Sequence, residues 1–198
     1  ILWFNNEEQS EKVLLRCYQA ALGKEVHAIF SDRNNSTQIW NETTRGNIKF
    51  PPFESCTRNG IEGLCRKYSP SLIIFDQIDK LSGFSEDRND LELTAIYEWA
   101  RGLANLYGPV IGICQAGASG EGRKWLTMND VNNSKTGKQG EADWILGIGK
   151  SLDEAFAYER YLHLSKNKLI GSSESNNEMR HGKWPVRILP EIARYEDV

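Results

Sequence analysis

The sequence predicts an α/β fold: a mainly parallel sheet with helices on both faces, and an antiparallel hairpin near the C-terminus. Three observations carry this. Short apolar runs, clearest in Ser71-Leu-Ile-Ile-Phe-Asp76, alternate with stretches whose apolar residues recur at helical spacing. The runs are apolar throughout rather than alternating, as strands covered on both faces are. Toward the end of the chain two extended segments, about 158–165 and 184–189, flank a polar turn with no helical pattern between them.

Taken in order, Ile1 to Phe4 reads as a buried strand. Val13, Leu14, Cys17, Tyr18 and Ala21 then repeat at helical spacing, and Gly23 fits the helix stop. Val26 to Phe30 reads as a second strand, and the polar residues 31–55, with Pro51-Pro52, as an irregular excursion. Ile61, Leu64, Cys65 and Tyr68 mark a short amphipathic helix that leads through Ser69-Pro70 into the strand ending at Asp76. A longer helix carries Leu91, Ala95, Ile96, Trp99, Leu103 and Leu106 on one stripe. Pro109 to Cys114 is the next strand. Residues 116–141, rich in Gly, Asn, Ser and Lys, read as a long mobile loop of the kind that serves a function. Trp144 to Ile148 is a further strand.

At 198 residues the chain holds one domain with a real core, and its 39% hydrophobic and 26% charged composition is that of a soluble globular protein. No run of eighteen apolar residues points to a membrane. The net charge of −3 speaks against a dedicated DNA-coating protein but leaves room for a motor that grips DNA with one loop per subunit. Cys17, Cys56, Cys65 and Cys114 lack zinc-site spacing. Cys17, Cys65 and Cys114 lie in apolar patterns and read as reduced core residues, which suits the cytoplasm.

Parallel sheets present ligands at the carboxyl ends of their strands, so the residues there bear the chemistry. They are Asn5-Asn6-Glu7-Glu8, Asp76-Gln77-Ile78-Asp79, Gln115 and Ser165-Lys166-Asn167-Lys168. An apolar strand ending in Asp is the Walker B pattern: it holds one carboxylate where it orients a magnesium ion beside a nucleotide phosphate. The same pattern also caps ordinary turns. Gln77 follows Asp76, so a base for the attacking water has to come from another strand, and Glu7 is placed for it. Acids at a helix start are the plainer reading of Glu7-Glu8. Gln115 reads either as a turn cap or as a γ-phosphate sensor. Arg123, Lys124, Lys135 and Lys138 suit phosphate-backbone contacts, or simply a solvated loop. Lys166 and Lys168 alternate and face opposite ways unless the strand has ended.

In their order and spacing these pieces resemble the motor domain of DnaB-like replicative DNA helicases, including phage primase-helicases, over nearly the whole chain. Ile1 to Arg16 looks like the family's strand–glutamate–helix segment, Ser71 to Asp76 like its Walker B strand, and Asn89 to Leu106 like the helix that follows. Pro109 to Gln115 is similar to the sensor strand, Asn129-Asp-Val-Asn-Asn-Ser134 through Asp143 to the DNA-binding loop and its return, and Ser165 to Gly171 to the Lys-x-Arg-x-x-Gly segment. The resemblance implies a RecA-like P-loop NTPase core that uses ATP and Mg2+, works as a hexameric ring and travels on single-stranded DNA. It implies that Glu7 is the catalytic glutamate, Asp76 the magnesium-orienting acid and Gln115 the sensor. Lys166 and Lys168 would reach a neighbouring subunit's nucleotide, and the loop with Arg123, Lys124, Lys135 and Lys138 would carry DNA.

The chain departs from the family in three places. G-x-x-x-x-G-K-[ST] occurs nowhere in it, so the resemblance implies an N-terminally incomplete domain whose P-loop strand and helix precede Ile1, inactive alone. Lys168 stands where the family has arginine, a point charge in place of a fork. Ala116-Gly117-Ala118 follows Gln115 where the family carries an arginine. Two alternatives stand beside the helicase: a recombinase-like or clock-type relative of the same fold, and a non-catalytic oligomerisation or regulatory module without a P-loop.

Overall fold

The structure is a computed structural model and describes residues 1–86, 88–131, 135–168 and 181–198, with the side chains of residues 135 and 136 outside the description. Two compact units make up the chain. One comprises Ile1–Ser85, Trp99–Cys114 and Leu189–Arg194; the other comprises Glu86–Glu98, Gln115–Ile188 and Tyr195–Val198.

The first unit is built on a parallel three-stranded sheet of β1 (Leu2–Asn5), β2 (Ile73–Asp76) and β3 (Val110–Ile113), in that order. Its register pairs Leu2 with Ile73, Asn5 with Asp76, and Asp76 with Ile113. The apolar runs that predicted β1 and β2 form the centre of the core: Leu2, Phe4, Ile73 and Phe75 are at most 1% exposed. Phe4 and Phe75 meet at 5.6 Å between ring centroids, and Phe75 reaches Trp99 at 5.7 Å. Helix α1 (Ser10–Leu22) ends where its spacing and Gly23 predict. Gly23 takes a left-handed φ of 63°, and its N–H closes the last turn on the Gln19 carbonyl.

Residues 26–30 are not a strand. They lie in helix α2 (Val26–Ser31), of which only Ile29 is buried, and Phe30 is exposed. A five-residue apolar run carries no period long enough to tell strand from helix. The excursion expected over 31–55 is also largely helical: α3 spans Arg33–Thr44. It packs through Ser36 and Trp40, one turn apart on the same face, with Trp40 stacked on Tyr18 at 4.6 Å. So thin an apolar stripe in a polar sequence leaves little pattern to read. Helix α4 (Arg58–Tyr68) has the expected position, with Thr57 capping it by accepting from the Gly60 N–H, and buries Ile61 and Cys65 completely.

Helix α5 (Asn89–Leu106) occupies the predicted span. Its buried stripe is Leu93, Ile96, Ala100 and Leu103, whereas Leu91 and Leu106, expected on that stripe, are exposed. The cysteines are all free thiols; Cys56 and Cys65 are buried, and Cys17 and Cys114 only half-buried, so Cys56 takes the core role expected of the other two.

The second unit carries a four-stranded sheet ordered β4 (Trp144–Gly149), β5 (Glu159–Asn167), β6 (Lys183–Leu189) and β7 (Arg194–Asp197). The predicted hairpin is the antiparallel pair β5–β6, with Glu159 opposite Arg187 and His163 opposite Lys183. Its polar turn, residues 169–180, lies outside the described residues. The segment 116–141 holds more structure than a long loop: single 3-10 turns at Ala118–Gly120 and Met128–Asp130, then helix α6 (Lys135–Glu141). Among the described residues no helix is long and apolar enough to cross a membrane.

Candidate active site

Because β1 and β2 run parallel with Asn5 beside Asp76, the residues that follow each strand emerge at the same end of the sheet. There Asn5, 2% exposed, organises the turn. Its Oδ1 accepts the backbone N–H groups of Glu7 and Glu8, both at 3.2 Å, and its Nδ2 donates to the Glu8 carbonyl at 2.6 Å. A short amide side chain doubling back on its own backbone is what fixes such a turn. Asn6 is also buried; its backbone N–H donates to the Asp76 carbonyl at 2.7 Å, and its Oδ1 accepts the Gln77 backbone N–H. The peptide between Asp76 and Gln77 is cis.

Glu7 is held on both carboxylate oxygens. Gln77, itself 6% exposed, donates from Nε2 to Oε2, and Lys80 donates from Nζ to Oε1 at 3.0 Å. Glu8 turns to Arg16 of α1, which grips it with both guanidinium nitrogens at 2.5 and 3.2 Å. Asp76 is half-buried at the tip of β2. Burial, and then the charges of Glu7 and Glu8, push its carboxyl above the ordinary value; Arg16 and Lys80 draw it partly back. Three acids thus share a small volume with two cations.

Among the described residues no three His, Cys, Asp or Glu side chains converge to hold a metal ion. Magnesium, however, takes only one or two carboxylates and completes its shell with water and phosphate oxygens. A crowded, reluctantly ionised Asp76 fits such a guest, since an added cation would relieve its neighbours' repulsion.

The remaining predicted residues lie in the second unit. Gln115 follows β3 and is exposed. β5 ends at Asn167, so Lys166 and Lys168 do not alternate to opposite faces. Both reach the C-terminal end of α6, Lys166 donating to the Gln139 carbonyl and Lys168 to the Gly140 carbonyl at 3.1 Å. Cations belong at that end of a helix. The Leu169-Ile170-Gly171 part of the expected finger segment, and Asn132-Asn133-Ser134 of the expected DNA loop, lie outside the described residues.

The cations of that loop are not simply solvated. Arg123 lies 3.4 Å from Asp130, which is 2% exposed. Lys124 stands over the rings of Phe156 and Tyr161, at 4.4 and 4.9 Å. Lys138 is 2% exposed, with its ammonium 5.6 Å from the centre of the Tyr97 ring. A loop-surface position for Lys138 is therefore corrected: a helix of seven residues, α6, turns it inward. The Lys135 side chain lies outside the described residues.

Asn5, Asn6 and Gln77 stand among the strand-end residues of the sequence but carry no assigned role there, and Lys80 is not among them. An amide directly after a strand-end Asp, with an Asn-Asn pair after the neighbouring strand, is the signal of side-chain networking that the sequence does hold.

No protein-family model matches the sequence, and no curated protein matches it. Solved structures do. The ATPase domain of a helicase superposes with a TM-score of 0.75 at 14% identity, covering 100% of this chain and 74% of that one. A DnaB-like replicative helicase, solved with its interactions with primase, gives 0.74 at 14% identity, with 100% of this chain and 51% of that one covered. A KaiC-like protein from Pyrococcus horikoshii gives 0.58 at 11% identity, covering 100% and 75%. The chain spans about half the length of the DnaB-like helicase. It has the RecA-like α/β fold of DnaB-like helicase ATPase domains.

Proposed function

We propose that this chain is part of the ATP-driven motor domain of a replicative DNA helicase, coupling ATP hydrolysis to movement along single-stranded DNA in a hexameric ring in the cytoplasm. The observation that carries this reading is the gathering of Glu7, Asp76 and Gln77 where two parallel strands end side by side. Glu7 is the group that takes a proton from the attacking water. It comes from a strand other than that of Asp76, so one carboxylate can serve the water while the other serves the cation. A magnesium ion, when bound with its nucleotide, would neutralise charge on the phosphates; Asp76 would hold its water shell. Gln115 is the sensor of the terminal phosphate, and Lys166 and Lys168 act on a neighbouring subunit's nucleotide, where a lysine supplies charge without a bidentate fork. Arg123, Lys124, Lys135 and Lys138 belong to the segment assigned to DNA. G-x-x-x-x-G-K-[ST] does not occur in this sequence, and ATP turnover requires a P-loop.

The fold likeness to the KaiC-like protein supports a second reading, an ATPase of the same fold that does not unwind DNA, but its TM-score of 0.58 stands well below 0.75 and 0.74. The test is Glu7→Gln in the full-length protein. Nucleotide binding is expected to persist while turnover is lost by about 100-fold or more, the scale of a missing general base. A variant that hydrolyses ATP at the parental rate sinks the assignment. Unwinding of a forked duplex by the parent separates the two readings.

A further inference from the structure

The Glu7 carboxylate is gripped from two sides by groups of very different character. On the buried side stands Gln77, 6% exposed, whose Nε2 donates to Oε2. Its backbone is pinned in turn, because the Gln77 N–H donates to Oδ1 of Asn6, itself 8% exposed. On the open side stands Lys80, whose ammonium donates to Oε1 at 3.0 Å while 47% of its side chain remains exposed. The backbone of Glu7 is fixed independently through Asn5 Oδ1. These two partners act on the rotation of the Glu7 side chain, and a base that must face one water molecule needs that rotation stopped.

We infer that Gln77 is the positioning residue of the active site: its buried amide sets the orientation of the Glu7 carboxylate, and Lys80 is an exchangeable partner on the other oxygen. The inference rests on the proposed role of Glu7 as the base. The chemistry of the two partners separates their parts. A neutral amide donates to the carboxylate without bringing a charge to it, so its part is to orient Glu7. It is buried and held by a chain of hydrogen bonds, so it does not wander. An exposed lysine is a compact, hydrated charge on a flexible stem; its ion pair is worth little and exchanges readily for water or for an incoming phosphate. Lys80 can therefore release Oε1 while Gln77 keeps Oε2 in place. A glutamate held only by the lysine would lose its orientation whenever the lysine left.

The test compares Gln77→Met and Lys80→Ala in the full-length protein, by ATP turnover and ATP affinity. Gln77→Met keeps the length of the side chain and removes the donor. It is expected to lower kcat by about 10-fold or more, with KM for ATP within about twofold, as for an interaction felt only in the transition state. Lys80→Ala is expected to change kcat by less than about fivefold, the ceiling for an exposed pair. In a Glu7→Ala background Gln77→Met is expected to have no further effect on the residual rate, an outcome that a merely structural role for Gln77 would not give. Gln77→Asn, which keeps an amide but draws it back by one methylene, replaces the Met variant if that variant loses its unfolding transition, and the same fall in kcat is expected. An unchanged kcat in the Gln77 variants, a larger loss from Lys80→Ala, or full additivity with Glu7→Ala overturns the inference. If Glu7→Ala itself retains parental turnover, the proposed function has failed, and the two failures are thereby told apart.

Discussion

Asp130 offers the sharpest physical test of the second unit. Its carboxylate, 2% exposed, accepts the Thr127 backbone N–H at 2.8 Å, the Thr127 hydroxyl at 2.9 Å and the Ser119 hydroxyl at 3.2 Å, with Arg123 at 3.4 Å. One buried charge thereby ties Ala118–Gly120 to Met128–Asp130 across the segment 116–131. Burial alone would raise this carboxyl, but the donations from Thr127 and Ser119 and the charge of Arg123 together hold it below its ordinary value. Hydrogen bonds to a charged group contribute about 1.5–3 kcal/mol each, and hydroxyls can turn elsewhere when their acceptor is lost. Asp130→Ala, which strands the Thr127 N–H, is therefore expected to cost about 3 kcal/mol, and Asp130→Asn, which keeps one acceptor oxygen, about 1.5 kcal/mol. For a chain of this size each kcal/mol is roughly 2–4 °C in Tm, so the losses are about 6–12 °C and 3–6 °C. The sign with pH follows from the lowered value. The carboxylate's contribution is complete above the unfolded Asp value of about 4 and is lost as pH falls through the folded value beneath it. Thermal unfolding by circular dichroism from pH 7 down to 3 is the assay, and the gap between parent and Asp130→Asn should narrow in acid. A gap that stays constant over that range, or an Asp130→Ala variant within about 1 °C of the parent, refutes the reasoning.

Two further predictions concern the other end of the chemistry and the packing of β4. Asp76 has the opposite sign, since its carboxyl is raised by burial and by Glu7 and Glu8. Stability from its neutral form is present below about pH 4 and lost as pH rises through the folded value, so Asp76→Asn is expected to raise Tm at pH 7 and to leave it unchanged near pH 3. The same variant should lose ATP turnover in the full-length protein; a Tm that falls at neutral pH counts against the crowding of acids. At Gly149 an added Cβ would land on the Lys124 and Arg123 carbonyls. Gly149→Ala is expected to cost about 1–3 kcal/mol by forcing β4 from that backbone, read as a lower urea midpoint with unchanged slope; an unchanged midpoint shows the segment yields freely.

How far these features can be read from the sequence depends on what each one leaves in the residue pattern. β1 and β2 are legible because their runs are apolar on both sides: Leu2, Phe4, Ile73 and Phe75 fill the buried face, and Trp3 and Ile74 on the other face are half-buried. Helix α5 is legible because its length allows several turns of the pattern, though its buried stripe is rotated from the expected one: Leu93 and Ala100 are buried, and Leu91 and Leu106 are exposed. α2 and α3 are not legible. The first is too short to show a period, and the second rests on Ser36 and Trp40 in an otherwise polar run. At the site, the acids stand out by their position at strand ends. The amides that hold them do not, because Asn5, Asn6 and Gln77 could equally cap turns, and only the register of Asn5 with Asp76 brings them together. Lys138 shows the limit of reading charge from composition, since a lysine in a Gly- and Ser-rich stretch looks solvated until the helix around it is known.

That last point changes how the second unit would meet a nucleic acid. Lys138 is turned inward against Tyr97, so it could face a phosphate only if α6 shifted, and the cost of uncovering a cation–π contact would oppose this. Arg123 and Lys124 differ. Each is engaged, yet each remains exposed, and a guanidinium has five donors of which Asp130 occupies few. Both can keep their present partners and still approach a strand's backbone. Each phosphate neutralised on a single strand contributes roughly −0.7 to the slope of log affinity against log salt. If this segment carries DNA, the share of that slope from these cations comes from Arg123 and Lys124, whose positions are already set by Asp130, Phe156 and Tyr161. Preset cations lose less side-chain entropy on binding than free ones do. A loop tied down by a buried carboxylate and two aromatic rings is thus better suited to hold a phosphate backbone than the flexible one its composition suggests.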